Sequence, residues 1–171
     1  MNQSMDSPIS VFVCGIPVGQ PRPRARRAGK RIIMYDPKTA HKWRETVAMV
    51  AGAAIERQFE GPLDVSLVFF FPRPKSHYGT GKNSDVLKAS APTYHTQKPD
   101  IDNVCKSTLD AMNDVVYGDD KQVVKLLAEK RWAHQPGQAG LALRVVPLGL
   151  QEEESDHDRV EQYASESFES Q

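Results

Sequence analysis

Cysteine is scarce: Cys14 and Cys105 are the only two in 171 residues. Two are too few for a disulfide framework, and neither sits in a Cys-x-x-Cys or Cys/His spacing that suits zinc. Both read as small buried hydrophobes. Long apolar runs are missing as well. Stretches such as 11–13 and 67–71 fall far short of the ~20 residues that a membrane-spanning helix needs. The opening residues, MNQSMDSPIS, have neither the basic start nor the apolar stretch of a secretory signal, which points to a cytoplasmic protein. There is no internal repeat. Net charge is lacking too, with 22 basic against 22 acidic side chains.

That zero is an average over two unlike pieces. Residues 151–171 hold eight acidic side chains against Arg159 alone, a net of −7, so the other 150 residues carry +7. A basic body with an acidic tail is the asymmetry expected of a protein with a polyanionic partner. The chain divides into a frayed start (1–8), one domain (9–148) and an acidic tail (149–171) with too little apolar surface to fold.

Within the domain, Ile9–Cys14 reads as a strand. Residues 15–30, with three prolines among several arginines, read as a loop, and Arg31–Tyr35 as a short strand. Asp36-Pro37 is an N-cap followed by a proline suited to the first helical position. The helix it opens carries an apolar stripe of Ala40, Trp43, Val47, Val50, Ala51 and Ala54, and Gly61-Pro62 stops it. Leu63–Phe71 alternates as a strand that turns apolar on both faces. Its face bearing Val68 and Phe70 is a candidate interface. Residues 72–99 show no periodicity over 28 residues, a length that marks a functional or a disordered loop. A second helix follows, with Ile101, Val104, Cys105, Thr108, Leu109 and Met112 on one arc. Val123–Trp132 alternates as a strand, and 134–140 is composed to close a hairpin onto 141–146. The order β-β-α-β-α-β-β implies an α+β fold: a mixed β-sheet with two helices packed on one face. Trp43 reads as core, and Trp132 as strand packing or a surface aromatic. His41, His77, His95, His134 and His157 lack metal-site spacing and read as non-catalytic.

Potential ligands are densest between residues 98 and 120. Asp100 and Asp102 flank Ile101 at a helix start, and Asp119-Asp120 follow the same helix. Mg²⁺ prefers oxygen ligands, usually one or two carboxylates with water and substrate phosphate, and three aspartates can supply them. A helix N-terminus also attracts phosphate. Lys106, four residues after Asp102, can reach a carboxylate or a phosphate oxygen. Each feature has an ordinary structural use: Asp caps helices, Gly-Asp-Asp makes turns, and Lys pairs with a residue one turn away. The residues alone leave both uses open. Basic side chains suited to a phosphate backbone are Arg22, Arg24, Arg26, Arg27, Lys30 and Arg31 in the first loop, and Arg73, Lys75, Lys82 and Lys98 in the second.

The run Lys98-Pro99-Asp100-Ile101-Asp102-Asn103, continued by Lys106, Leu109-Asp110-Ala111 and Tyr117-Gly118-Asp119-Asp120 to Gln122-Val123-Val124, resembles the RusA-type endodeoxyribonucleases, the Holliday-junction resolvases of phages and prophages. The stretches 73–78 and Tyr94-His95 resemble the phage branch. The likeness spans roughly 9–146 and leaves out the tail. It implies a homodimeric, Mg²⁺-dependent nuclease that makes paired symmetric nicks in four-way junction DNA during recombination and repair, in a bacterial cytoplasm. The catalytic and metal-binding positions implied are Asp100, Asp102 and Asp120, with Lys106 as the functional lysine. Whether one ion or two bind stays open. The alternatives are a non-catalytic DNA-binding protein and a Mg²⁺-dependent nuclease or phosphoesterase acting on other DNA structures.

Overall fold

In the computed structural model of the chain, residues 7–21, 24–28, 31–35 and 40–149 are described, the two short stretches by their backbone alone. The centre of the fold is the most apolar segment. β4 (Leu63–Phe71, LDVSLVFFF) is buried at all nine positions. A strand apolar on both faces is most stable inside a sheet, and β4 lies there, in the order β1-β6-β4-β5. β1 spans Ile9–Cys14, β5 Val123–Trp132 and β6 Gly140–Pro147. β4 runs parallel to β5 and antiparallel to β6, and β6 is antiparallel to β1. The sheet is therefore mixed, and with helices α1 (His41–Gly52) and α2 (Ile101–Met112) it makes the single α+β domain expected.

Register assigns the two faces. Val65, Leu67, Phe69 and Phe71 of β4 join Leu141, Leu143 and Val145 of β6 in one core cluster with Trp43, Val47 and Ala51 of α1 and Val104, Cys105 and Met112 of α2. Truncating a ring such as Phe69 to alanine in this core would cost about 3–5 kcal/mol. The opposite face holds a smaller cluster of Val68, Phe70, Ala133 and Ala142, flanked by Phe12 and Leu127.

Several expectations need correction. Residues 15–30 are not loop throughout: β2 (Arg24–Ala28) pairs antiparallel with β3 (Arg31–Tyr35) as a separate two-stranded sheet. Backbone pairing with a β-prone neighbour overrides the local arginine content. The expected cap Asp36-Pro37 lies outside the described residues, and Ala40 precedes α1 without a side-chain cap bond. α1 ends at Gly52 instead of reaching Gly61. There the chain is drawn off toward the segment after α2: a Cβ on Gly52 would lie 2.9 Å from Val115, the Phe59 amide donates to the Val116 carbonyl, and Gln58 donates to the Asp114 carbonyl. The expected hairpin between β5 and β6 is absent, because β4 inserts between them. Cys14 is exposed, unlike Cys105. Ile101, expected on the buried arc, is 41% exposed.

The segment 72–99 is ordered by specific anchors. Arg73 donates to the carbonyls of Ala133 and Pro92. The Tyr94–Arg131 bridge, with the bonds from His95 N–H to the Lys130 carbonyl and from Trp132 N–H to the Thr93 carbonyl, lays residues 93–95 along the outer edge of β5. His95 stacks on Phe71 with ring centroids 4.0 Å apart and meets Trp132 edge-on at 4.4 Å. His77 meets the same indole at 4.9 Å. Trp132 is thus packing, and His95 is buried with it.

Candidate active site

α2 presents the acidic turn. Asp100 occupies its N-cap, with extended backbone angles (φ −67°, ψ 149°), yet its carboxylate makes no capping hydrogen bond. The capping role that this position suggests is therefore not what the side chain does. Asp102 lies in the first turn, and both aspartates are exposed. Below them the helix is buried through Val104, Cys105 and Thr108, so the core fixes the direction in which the turn faces. Burial, reinforced by the charge of Asp102, pushes the Cys105 thiol up to about 11. That thiol stays protonated and is not a nucleophile at neutral pH.

One turn further, the Lys106 ammonium pairs with Asp110 at 3.2 Å. The lysine reaches forward along the helix to that carboxylate. Asp110 and Asp120 both act on Tyr117, whose phenol is held far above its usual range, first by burial and then by these two negative charges. The buried Tyr117 hydroxyl donates to the Leu109 carbonyl at 3.1 Å. Asp120 thus lies within electrostatic reach of a side chain bonded to the C-terminal half of α2, whereas Asp100 and Asp102 stand at its N-cap and first turn.

The two neighbouring aspartates after the helix have different uses. Asp119 is a cap: its carboxylate accepts from the Lys121 N–H at 3.0 Å, and this bond, with the Lys121 side chain, holds its pKa below the usual carboxylate value. Asp120 opens the short 3₁₀ turn Asp120–Gln122. Gln122 fixes that turn. Its Oε1 accepts from the N–H groups of Gly118 and Asp119, while its Nε2 donates to the carbonyls of Phe59 and Gly61.

The start of the arginine-rich segment is fastened to the same helix. The Gln20 N–H donates to the Asn103 carbonyl at 3.0 Å. A Cβ on Gly19 would stand 2.9 Å from the Asn103 amide nitrogen and 3.1 Å from the Pro99 ring, so a larger residue there would push the Asn103 side chain aside. Of the candidate DNA-contacting residues, Arg24, Arg26, Arg27 and Arg31 fall on the β2–β3 hairpin that follows this anchor. Arg22 and Lys30 lie outside the described residues, as does 150–171. Lys75, Lys82 and Lys98 are exposed. Arg73 is committed to two backbone carbonyls.

Two residues that sequence reasoning passed over belong to this region, Gly19 and Lys130, while Gln122, noted there only as part of a motif, gains a structural role. The register sets Lys130 beside Phe69, on the helix-facing side of β5. Its ammonium donates to the carbonyls of Gln97 at 2.7 Å and Pro99 at 2.6 Å. Strand alternation alone carried the signal, since a lysine in phase with Ala128 and Trp132 is a lysine pointed inward.

The donor set is all oxygen. It suits Mg²⁺, which is commonly held through one or two carboxylates and keeps several waters that substrate phosphate can replace. Among the described residues no three His, Cys, Asp or Glu side chains are grouped so as to hold a metal ion, so Asp100, Asp102 and Asp120 do not form a ready three-carboxylate set. An exposed carboxylate pair at a helix N-terminus fits an ion completed by water and phosphate. Among the described residues, no helix is long and apolar enough to cross a membrane.

Comparison with known proteins agrees with this geometry. The chain is 35% identical over 129 residues to the uncharacterized protein YqaN of Bacillus subtilis strain 168, an alignment that covers 75% of this chain and 90% of that one. The family model described as endodeoxyribonuclease RusA matches residues 15–140, from the anchor before the arginine-rich hairpin to the start of β6. The chain belongs to the RusA endodeoxyribonuclease family.

Proposed function

We propose that the protein is a Mg²⁺-dependent, structure-specific endonuclease that resolves Holliday junctions by paired symmetric nicks, acting as a homodimer in recombination and repair in the bacterial cytoplasm. The observation that carries this reading is Asp100: a carboxylate at a helix N-cap that makes no capping bond, exposed beside Asp102. Family membership supplies the chemistry class. A phage or prophage origin of the gene agrees with that family.

Asp100, Asp102 and Asp120 would hold the ion. When bound, Mg²⁺ lowers the pKa of water and offsets the charge of the scissile phosphate. The chain's residues do the rest. The first turn of α2 orients two carboxylates and adds the positive end of its dipole toward the phosphate. Lys106 offsets charge that develops on the phosphoryl oxygens. The basic hairpin and the lysines of 72–99 grip the sugar–phosphate backbone, which fixes DNA position and makes affinity salt-dependent. A twofold dimer would present two such sites to a twofold junction.

The deciding experiment incubates the full-length protein and Mg²⁺ with a synthetic four-way junction, a linear duplex of the same sequence and a single strand. Paired nicks confined to the junction support the reading. Cutting of all three substrates alike would make it a nuclease of other specificity, and binding without cutting a DNA-binding protein alone.

A further inference from the structure

We infer that Lys130 is a positioning residue for Asp100, and that by clamping the turn before α2 it sets the affinity of the site for a divalent cation. The inference rests on the nuclease reading above and extends it to a residue on another element. Lys130 has three donors. Two are spent on the carbonyls of Gln97 and Pro99, which bracket Lys98 and directly precede Asp100. The Asp100 backbone is therefore held from below by a strand of the central sheet, and from its other side by the bond between its own carbonyl and the Val104 N–H.

The clamp is rigid at its base. Lys130 belongs to the parallel β4–β5 ladder, where it lies beside the fully buried Phe69. The next residues, Arg131 and Trp132, are buried, and the carbonyl of Lys130 itself accepts from the buried His95. The ammonium is partly desolvated, which lowers its pKa, while the negative charge of Asp100 opposes that shift. The carboxylate and the cation thus sense each other, and the short bonds of the lysine go to the backbone that carries the carboxylate.

Two effects of this lysine on metal binding have opposite signs. As a positive charge near Asp100, it weakens the attraction for a cation; as a clamp, it strengthens binding by holding the ligand in place. Groups that orient metal ligands are typically worth roughly 10–100-fold in affinity or activity. On this inference the clamp outweighs the charge, so removing Lys130 should weaken metal binding.

The test compares wild type, Lys130→Met and Lys130→Arg as full-length proteins. Mn²⁺ binding to protein alone is followed by electron paramagnetic resonance, and junction cleavage is titrated against Mg²⁺. Lys130→Met is expected to raise both half-saturation concentrations roughly tenfold or more, with metal-free junction binding unchanged. Lys130→Arg, which keeps charge and donors, should stay near wild type. Should Lys130→Met fail to fold by circular dichroism, Lys130→Gln takes its place. Unchanged or tighter Mn²⁺ binding in the Met or Gln variant, or equal loss in the Arg variant, overturns the inference. A wild type that neither binds Mn²⁺ nor cuts DNA refutes the nuclease reading instead.

Discussion

The Lys106 ammonium rests 3.2 Å from the Asp110 carboxylate, one helical turn beyond it and on the far side from Asp102. The lysine is 62% exposed and Asp110 18%, and an i,i+4 helix pair with so exposed a cation contributes only about 0.3–0.5 kcal/mol. A DNA phosphate can therefore take Lys106 from Asp110 at little cost. Lys106→Ala is expected to slow junction cleavage at least tenfold, whereas Asp110→Asn, which frees the lysine and removes one of the two charges acting on Tyr117, should change it less than about threefold. Single-turnover rates at saturating Mg²⁺ check this. Equal losses in the two variants would give the pair a structural role instead.

Asp102→Asn and Asp120→Asn keep side-chain shape and remove a charge. Each should lower the cleavage rate by about a hundredfold or more, equivalent to about 2.7 kcal/mol of transition-state stabilisation. Junction affinity measured without metal should persist. Asp119→Asn acts on a cap, so its effect should appear chiefly as a small drop in melting temperature.

Gln122 joins the Asp119-Asp120 turn to the segment before β4 through four hydrogen bonds. Gln122→Ala leaves those backbone groups without their protein partner and should cost about 1–3 kcal/mol in urea denaturation. Cleavage should fall as well, because Asp120 stands at the start of the turn that Gln122 secures.

His95 has its pKa lowered, first by burial and then by the charge of Lys130. The unfolded chain then binds more protons than the folded one at pH values between the folded pKa and about 6.5. Stability is fully present above that upper value and is lost as pH falls through the folded pKa, with a slope of at most one proton, about 1.4 kcal/mol per pH unit. His95→Phe should flatten this part of a urea midpoint series run from pH 7.5 to 5.

Removing residues 151–171 deletes a net −7 and leaves +7. The truncated protein should bind linear duplex more tightly at low salt, and the difference should vanish as added salt screens both. Unchanged low-salt affinity would mean that the tail does not compete with DNA.

Much of this architecture is legible in the sequence because the governing signals are local. The apolar run of β4, the stripe of Trp43, Val47 and Ala51 and the buried arc of α2 each follow from periodicity. The acidic turn at Asp100 and Asp102 is visible as spacing. What escapes is set by distant partners. β2 becomes a strand through β3, α1 stops where Val115 and Val116 claim the chain, and β5 pairs with β4 because a strand buried on both faces takes the interior position. The roles of Lys130 and Gln122 escape for the same reason, since the distant partners lie 31–33 and 61–63 residues away. The difference between Asp119 and Asp120 depends on the backbone N–H and ammonium of Lys121, which composition cannot express.

The bond from Gln20 to the Asn103 carbonyl, with the close approach of Gly19 to Pro99 and Asn103, ties the segment that leads toward the basic strands β2 and β3 to the acidic turn of α2. On the proposed nuclease reading, a pull on those strands would reach the helix whose first turn bears Asp102, and the free energy of gripping the backbone would serve to align the carboxylates.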